Sequence, residues 1–209
     1  MTLDDLAAVA HEPDGKPKGT VVLTHGAGGN RDSPMLVRIC EEWARHGYLA
    51  VRYNLPYRRR RPKGPPSNSA NSDQEGIIEA ISWARGLGHG PVIAGGHSYG
   101  GRMTSMVAAD RGRTTAETLD VLTLFSYPLH PPGKPDRART EHLPGITAPT
   151  VFTHGTADPF GTIDEIRAAA ALVTGPVEVV EVTGARHDLG SKTLDVPLLA
   201  VTAAAIFLS

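Results

Sequence analysis

The sequence predicts an α/β fold, a mostly parallel central sheet with helices on both faces. Three observations carry that expectation. Short β-branched runs alternate with helical stretches along the whole chain. Runs such as "VVLTH" and "VIAGG" are continuously apolar, as strands covered on both faces should be. The chain has 209 residues, enough for one well-buried domain and short for two. A single domain over residues 1–209 is expected.

The elements follow in order. "LAAVAHEP" and the turn-like "DGKPKG" read as an antiparallel edge strand and its exit. "GTVVLTH" (19–25) is a strand. In "SPMLVRICEEWARHG" the apolar residues Met35, Leu36, Ile39, Cys40 and Trp43 fall at helical spacing, with Ser33 as cap, Pro34 in the first turn and Gly47 beyond the last. "YLAVRYN" is the next strand, and "PYRRRRPKGPPSNSANS" (56–72) an exposed loop rich in Pro, Arg, Ser and Asn. "DQEGIIEAISWARGLG" is a helix, "PVIAGG" a strand and "YGGRMTSMVAADRG" a helix. "LDVLTLFSY" and "APTVFTHG" are strands, "TIDEIRAAAALV" a helix and "PVEVVEVTG" a strand. "TLDVPLLAVTAAAIFL" closes as a helix that Pro197 is expected to bend in its first turns.

Composition narrows the function classes. A formal net charge of −1 lacks the basic footprint of a general nucleic-acid binder. A single cysteine, Cys40, excludes an internal disulfide and a cysteine zinc site. No H-E-x-x-H occurs, so no metal is implied; no cofactor is expected either. The opening "MTLDDLAAVA" has Asp4 and Asp5 where a signal peptide would be basic, and the apolar tail is too short to cross a bilayer. A soluble cytoplasmic protein without a membrane partner is expected.

The chemistry centres on "VIAGGHSYGGRM". "GHSYG" fits G-x-S-x-G, with a strand before it and a helix after it, as a nucleophile elbow requires. Ser98 is then a nucleophile on a sharp turn; the bland reading is a helix-capping serine. A serine hydroxyl needs a base, and the base an orienting acid. "TVFTH" runs into "GTADPFG" and places Asp158 at the sheet's C-terminal edge; "VEVVEV" runs into "TGARHDLG" and places His187 there. The order Ser, Asp, His suits this fold class. Alone, Asp158 could be a turn former and His187 a solvated loop residue. His25 and His154, each at a strand end, read as hydrogen-bonded structural residues. His97 should point away from Ser98 by strand alternation. His130 and His142 have no partner visible in the sequence.

"THGAGGNRDSP" follows the first interior strand. A dinucleotide loop would want a glycine where Arg31 stands and an acid ending the next strand, where the chain has "VRYNLP". An oxyanion loop fits better, with the backbone N–H of Ala27 as one donor and that of Tyr99 as the second. No P-loop is present.

With "LTHGAGGN", "GGHSYGGRM", "FSYPLHPPGKPDRARTEHL", "PTVFTHGTADPFG" and "GARHDL", the chain resembles a small α/β-hydrolase over residues 23–189. Its "SYPLHPPGK" is similar to the hydrolase-like family of the testis-expressed hydrolase-like protein and of the hydrolase-like domain of a chromatin-regulatory NSL-complex subunit. The resemblance implies the fold and roles for Ser98, Asp158 and His187. Some of these relatives act in complexes, so a non-catalytic interaction module is the alternative. Dienelactone-hydrolase-like enzymes are more distant, with cysteine at the position of Ser98.

The expected activity is a serine hydrolase acting on a small-molecule carboxylic ester or thioester. The interval Tyr127 to Ala148 spans 22 residues and is broken by Pro128, Pro131, Pro132, Pro135 and Pro144, too short for a cap domain. An open, shallow site follows. "RRRR", Arg58 to Arg61, reads either as a solvated basic loop or as a rim that steers anionic substrates.

Overall fold

The computed structural model describes residues 2–66, 70–110 and 119–209. Seven strands form one sheet in the order β1-β3-β2-β4-β5-β6-β7. They are β1 (Ala8–His11), β2 (Thr20–Thr24), β3 (Leu49–Tyr53), β4 (Val92–His97), β5 (Val121–Phe125), β6 (Thr150–Gly155) and β7 (Val177–Val182). Only β1 is antiparallel; it pairs with β3 at one edge. The other pairings are parallel, so all the remaining strands end on the same side.

Helices cover both faces, as the apolar runs require. On one face α1 (Pro34–Arg45) and α6 (Val196–Ala205) bury Leu36, Ile39, Trp43 and Val201 against Val21, Leu23, Ile93 and Val151. On the other, α3 (Ala70–Gly86), α4 (Tyr99–Ala109) and α5 (Ile163–Ala170) bury Ile77, Ile81, Met103 and Ile166 against Val51, Leu122 and Phe152. Cys40 is fully buried, and burial pushes its thiol up to about 12. Residues 126–149 form a loop with two three-residue 3₁₀ turns, so no cap is inserted between β5 and β6. Among the described residues no helix is long and apolar enough to cross a membrane.

Four expectations are corrected. The stretch after β3 is not loop throughout: Pro56–Arg60 form a short helix, α2, whose Tyr57 and Arg58 are buried. Proline presets its first turn, and the Arg58 hydrogen bonds described below hold it inward. Pro197 occupies the first turn of α6, where no intrahelical N–H is needed, and the helix starts at Val196 instead of running through a bend. Ser33 stands at the α1 N-cap position but makes no side-chain cap bond. The third helix begins at Ala70, earlier than the apolar period shows, while the expected end of α4 runs past residue 110, outside the described residues.

The elbow explains the glycines around Ser98. A Cβ on Gly100 would lie 2.5 Å from the His25 carbonyl oxygen, and one on Gly96 2.6 Å from that of Thr24. Helix α4 can therefore press against the end of β2 only without side chains there. Gly100→Ala should lose about 2 kcal/mol of stability through this overpacking, read from the urea midpoint at unchanged m-value.

Candidate active site

Strands β4, β6 and β7 each deliver one side chain to a site at the C-terminal edge. Ser98 follows β4 with φ 49 and ψ −117, a strained backbone for a residue with a side chain. Its N–H donates to the Phe125 carbonyl at 2.8 Å, which ties the turn to β5. Asp158 follows β6 and His187 follows β7, and the structure brings all three side chains together. His187 Nδ1 lies 2.8 Å from Asp158 Oδ2, and His187 Nε2 lies 2.8 Å from Ser98 Oγ. A carboxylate only accepts, so Nδ1 carries the proton and Nε2 presents a lone pair to the serine hydroxyl.

The Asp158 side chain is buried. Burial alone would raise its carboxyl pKa, but the hydrogen bonds from His187 and from the Phe160 N–H outweigh that and hold it below the usual range. The loop that carries it is tied to its neighbours. Ala157 N–H donates to the Ala185 carbonyl at 2.9 Å, and His154 Nε2–H donates to that of Gly161 at 2.9 Å. Phe160 stacks on the His187 ring at 4.3 Å. The His97 ring lies 5.0 Å from the His187 ring and donates Nε2–H to the His187 carbonyl at 2.7 Å. Both residues restrict His187, and the sequence reading missed both. Their signal was faint: a residue two beyond the acid and a residue one before the nucleophile.

The Gly26–Ala27 loop after β2 faces the elbow: a Cβ on Gly26 would sit 3.3 Å from the Ser98 Cβ. Tyr99 opens α4, so its N–H has no intrahelical acceptor. Neither it nor the Ala27 N–H has a hydrogen-bond acceptor among the described residues. The positive end of α4 points at the same place.

The remaining histidines have partners. His25 is fully buried, with Nδ1–H donating to the Gly26 carbonyl at 2.9 Å and Nε2 accepting from the Leu55 N–H at 3.2 Å. Burial lowers its pKa to about 4. His142 meets Ser105 Oγ at 2.8 Å and is likewise lowered to about 4 by burial and by the Arg102 charge. His130 lies 3.3 Å from Glu165 Oε2. The Arg58–Arg61 run is dispersed, against the idea of one steering rim. Arg58 turns inward, Arg59 binds the Asp5 carbonyl and Glu79, and Arg60 meets Ser72 Oγ. No group of three His, Cys, Asp or Glu side chains is placed to hold a metal among the described residues.

A serine in a strained strand-to-helix turn, a histidine and a carboxylate at the end of such a sheet define a hydrolase-type α/β protein. The chain belongs to the alpha/beta hydrolase domain family, whose profile matches residues 17–196. Similar solved structures agree on the fold. Est1E from Butyrivibrio proteoclasticus, solved with ferulic acid bound, has a TM-score of 0.74 at 15% identity, covering 96% of this chain and 93% of that one. A dienelactone hydrolase from Anabaena variabilis gives 0.70 at 22%, with 96% and 88% covered. A serine hydrolase without a lid from Xanthomonas campestris gives 0.70 at 15%, also with 96% and 88% covered.

The buried neutral histidines set an acid limit on the fold. As pH falls from 6.5 toward 4, the unfolded chain gains a proton at His25 that the folded site refuses, so stability present above pH 6.5 is lost across that window. The loss from His25 alone should be on the order of 3 kcal/mol. Urea titrations at several pH values should show this slope, and His25→Gln should flatten it.

Proposed function

We propose that the protein is a serine hydrolase of carboxylic esters or thioesters, working in the cytoplasm without a cofactor. The observation that carries this reading is the pair of 2.8 Å contacts linking Ser98, His187 and Asp158 on a strained elbow. Ser98 Oγ attacks the acyl carbonyl and its proton passes to His187 Nε2. The Ala27 and Tyr99 N–H groups stabilise the oxyanion as it forms. His187 returns the proton to the departing alcohol or thiol. Water, activated by the same imidazole, then cleaves the acyl-enzyme and releases the acid. Asp158 holds the ring in the required tautomer and stabilises the imidazolium.

With no cap inserted between β5 and β6, small acyl groups or esters on exposed parts of larger molecules suit the site best. The ferulic acid bound by Est1E makes a feruloyl ester a sensible member of the test panel, beside acetyl and butyryl esters, their thioesters, and matched anionic esters.

A fluorophosphonate probe should label the wild type on Ser98 and leave Ser98→Ala unlabelled, read by intact mass. A folded wild type that neither labels nor turns over any ester would make the protein a non-catalytic module on the same fold. Asp158→Asn should keep its fold and lose ~10³–10⁴-fold in kcat on the best ester. Unchanged turnover would mean that another group orients His187.

A further inference from the structure

We propose that Tyr57, Arg58, Asp73 and His25 form one buried brace that aims both oxyanion N–H groups, with Arg58 as its central positioning residue. This inference rests on the hydrolase reading above.

The argument begins with a peptide plane. In a trans peptide the carbonyl of one residue and the N–H of the next point in opposite directions. No cis peptide occurs among the described residues. The direction of the Ala27 N–H is therefore set by whatever holds the Gly26 carbonyl. Two donors do: the Gly29 N–H at 3.0 Å and His25 Nδ1–H at 2.9 Å, with the Tyr57 hydroxyl, whose one proton is shared with the nearer Ala27 carbonyl, 3.3 Å away. The next plane is held as well. The Ala27 carbonyl accepts from the Tyr57 hydroxyl at 2.8 Å and from Arg58 Nη2 at 3.1 Å. Two successive planes pinned in this way leave Ala27 little torsional freedom.

Arg58 is 5% exposed, and its guanidinium donates to four carbonyl oxygens and has no carboxylate partner among its hydrogen bonds in the described residues. Beyond Ala27 it holds Gly29 at 2.8 Å, Gly64 at 3.1 Å and Arg61 at 3.2 Å. Burying a guanidinium without a carboxylate is unfavourable, and only a planar fork with five donors satisfies so many acceptors at once. Stability alone would favour an apolar residue there. What the charge does instead is fasten the loop beside Ser98.

The second oxyanion residue is tied to the same unit. Asp73, fully buried on α3, accepts from the Tyr99 hydroxyl at 2.8 Å through Oδ2 and from the Tyr57 N–H at 3.1 Å through Oδ1. Tyr57 packs edge-on against Tyr99 at 6.0 Å and against His25 at 5.7 Å. Helix α3 reaches this position because Gly76 lets Pro56 lie against it; a Cβ there would be 2.5 Å from the proline ring. Oxyanion donors act on charge that develops only in the transition state. Misaiming them should lower kcat and leave KM nearly unchanged.

The test compares wild type, Arg58→Ala, Arg58→Lys, Tyr57→Phe and Arg60→Ala on p-nitrophenyl acetate, with the melting temperature of each protein measured alongside. Arg58→Ala should lose ~10²-fold in kcat, and Tyr57→Phe about tenfold, with KM changed by less than about threefold. The pH midpoint of kcat/KM should stay in place, because His187 and Asp158 are untouched. Affinity for a boronic acid should fall in step with kcat, Arg58→Lys should recover little, and added methylguanidinium should restore part of the Arg58→Ala rate. Arg60→Ala should match wild type. If Arg58→Ala does not fold, Tyr57→Phe carries the test, since it deletes only one hydroxyl. A folded variant with unaltered kcat, or a loss confined to KM or to a shifted pH midpoint, overturns the brace while leaving the hydrolase reading intact. A wild type that reacts with neither ester nor fluorophosphonate overturns the hydrolase reading, and the brace with it.

Discussion

Ser98 can hold φ 49 and ψ −117 only because the sheet clamps it from both sides. On one side its N–H reaches the Phe125 carbonyl at the end of β5. On the other, Gly96 and Gly100 allow the turn to lie against the Thr24 and His25 carbonyls at the end of β2. Such a backbone costs roughly 1–3 kcal/mol and persists where its surroundings leave no alternative. Three parallel strands in register supply those surroundings. The glycines, the burial of β4 and the closeness of the Gly26–Ala27 loop all follow from that one requirement.

Parallel strands also explain how distant parts of the chain meet. Gly26 and Ala27 leave β2, Tyr57 and Arg58 leave β3, Ser98 leaves β4, Asp158 leaves β6 and His187 leaves β7. Each loop starts from a strand whose place is fixed by its neighbours, and cross-links such as Ala157 to Ala185 and His97 to His187 remove the freedom that remains. Helix α3 adds Asp73 from outside the sheet. Rigid strands thus do the coarse placement, and short polar contacts between loops do the fine placement.

Much of this was legible in the sequence, for physical reasons. Apolar runs such as "VVLTH" and "VIAGG" had to be doubly covered strands, and that fixed the order of elements. Ser98, Asp158 and His187 could be placed at one edge because each follows the end of a predicted parallel strand. Arg58 could not be told from its three neighbours, since four identical residues differ only in what they touch. Helix α2, five residues long, is too short to show a period. Asp73 looked like an ordinary acid near a helix start, and its burial depends on Tyr99 and Tyr57, remote in sequence. The hold of His97 on the His187 carbonyl could not be read from the sequence, because it needs the β7 loop in place. The antiparallel β1 edge was legible because the turn-like "DGKPKG" that follows it is a local signal.

The sheet ends at β1 on one side and β7 on the other, and each leaves a row of backbone groups unpaired. Such rows invite strands from other molecules, the first step toward aggregation. β1 offers only four residues for such pairing. β7 is longer, but "VEVVEV" carries the exposed Glu178 and Glu181, one on each face of the strand, and Glu181 is engaged by Arg167 at 2.6 Å. A second copy laid along this edge would bring like charges together and strip them of water. Any strand added along β7 would have to desolvate these two carboxylates, which disfavours growth of the sheet at this edge.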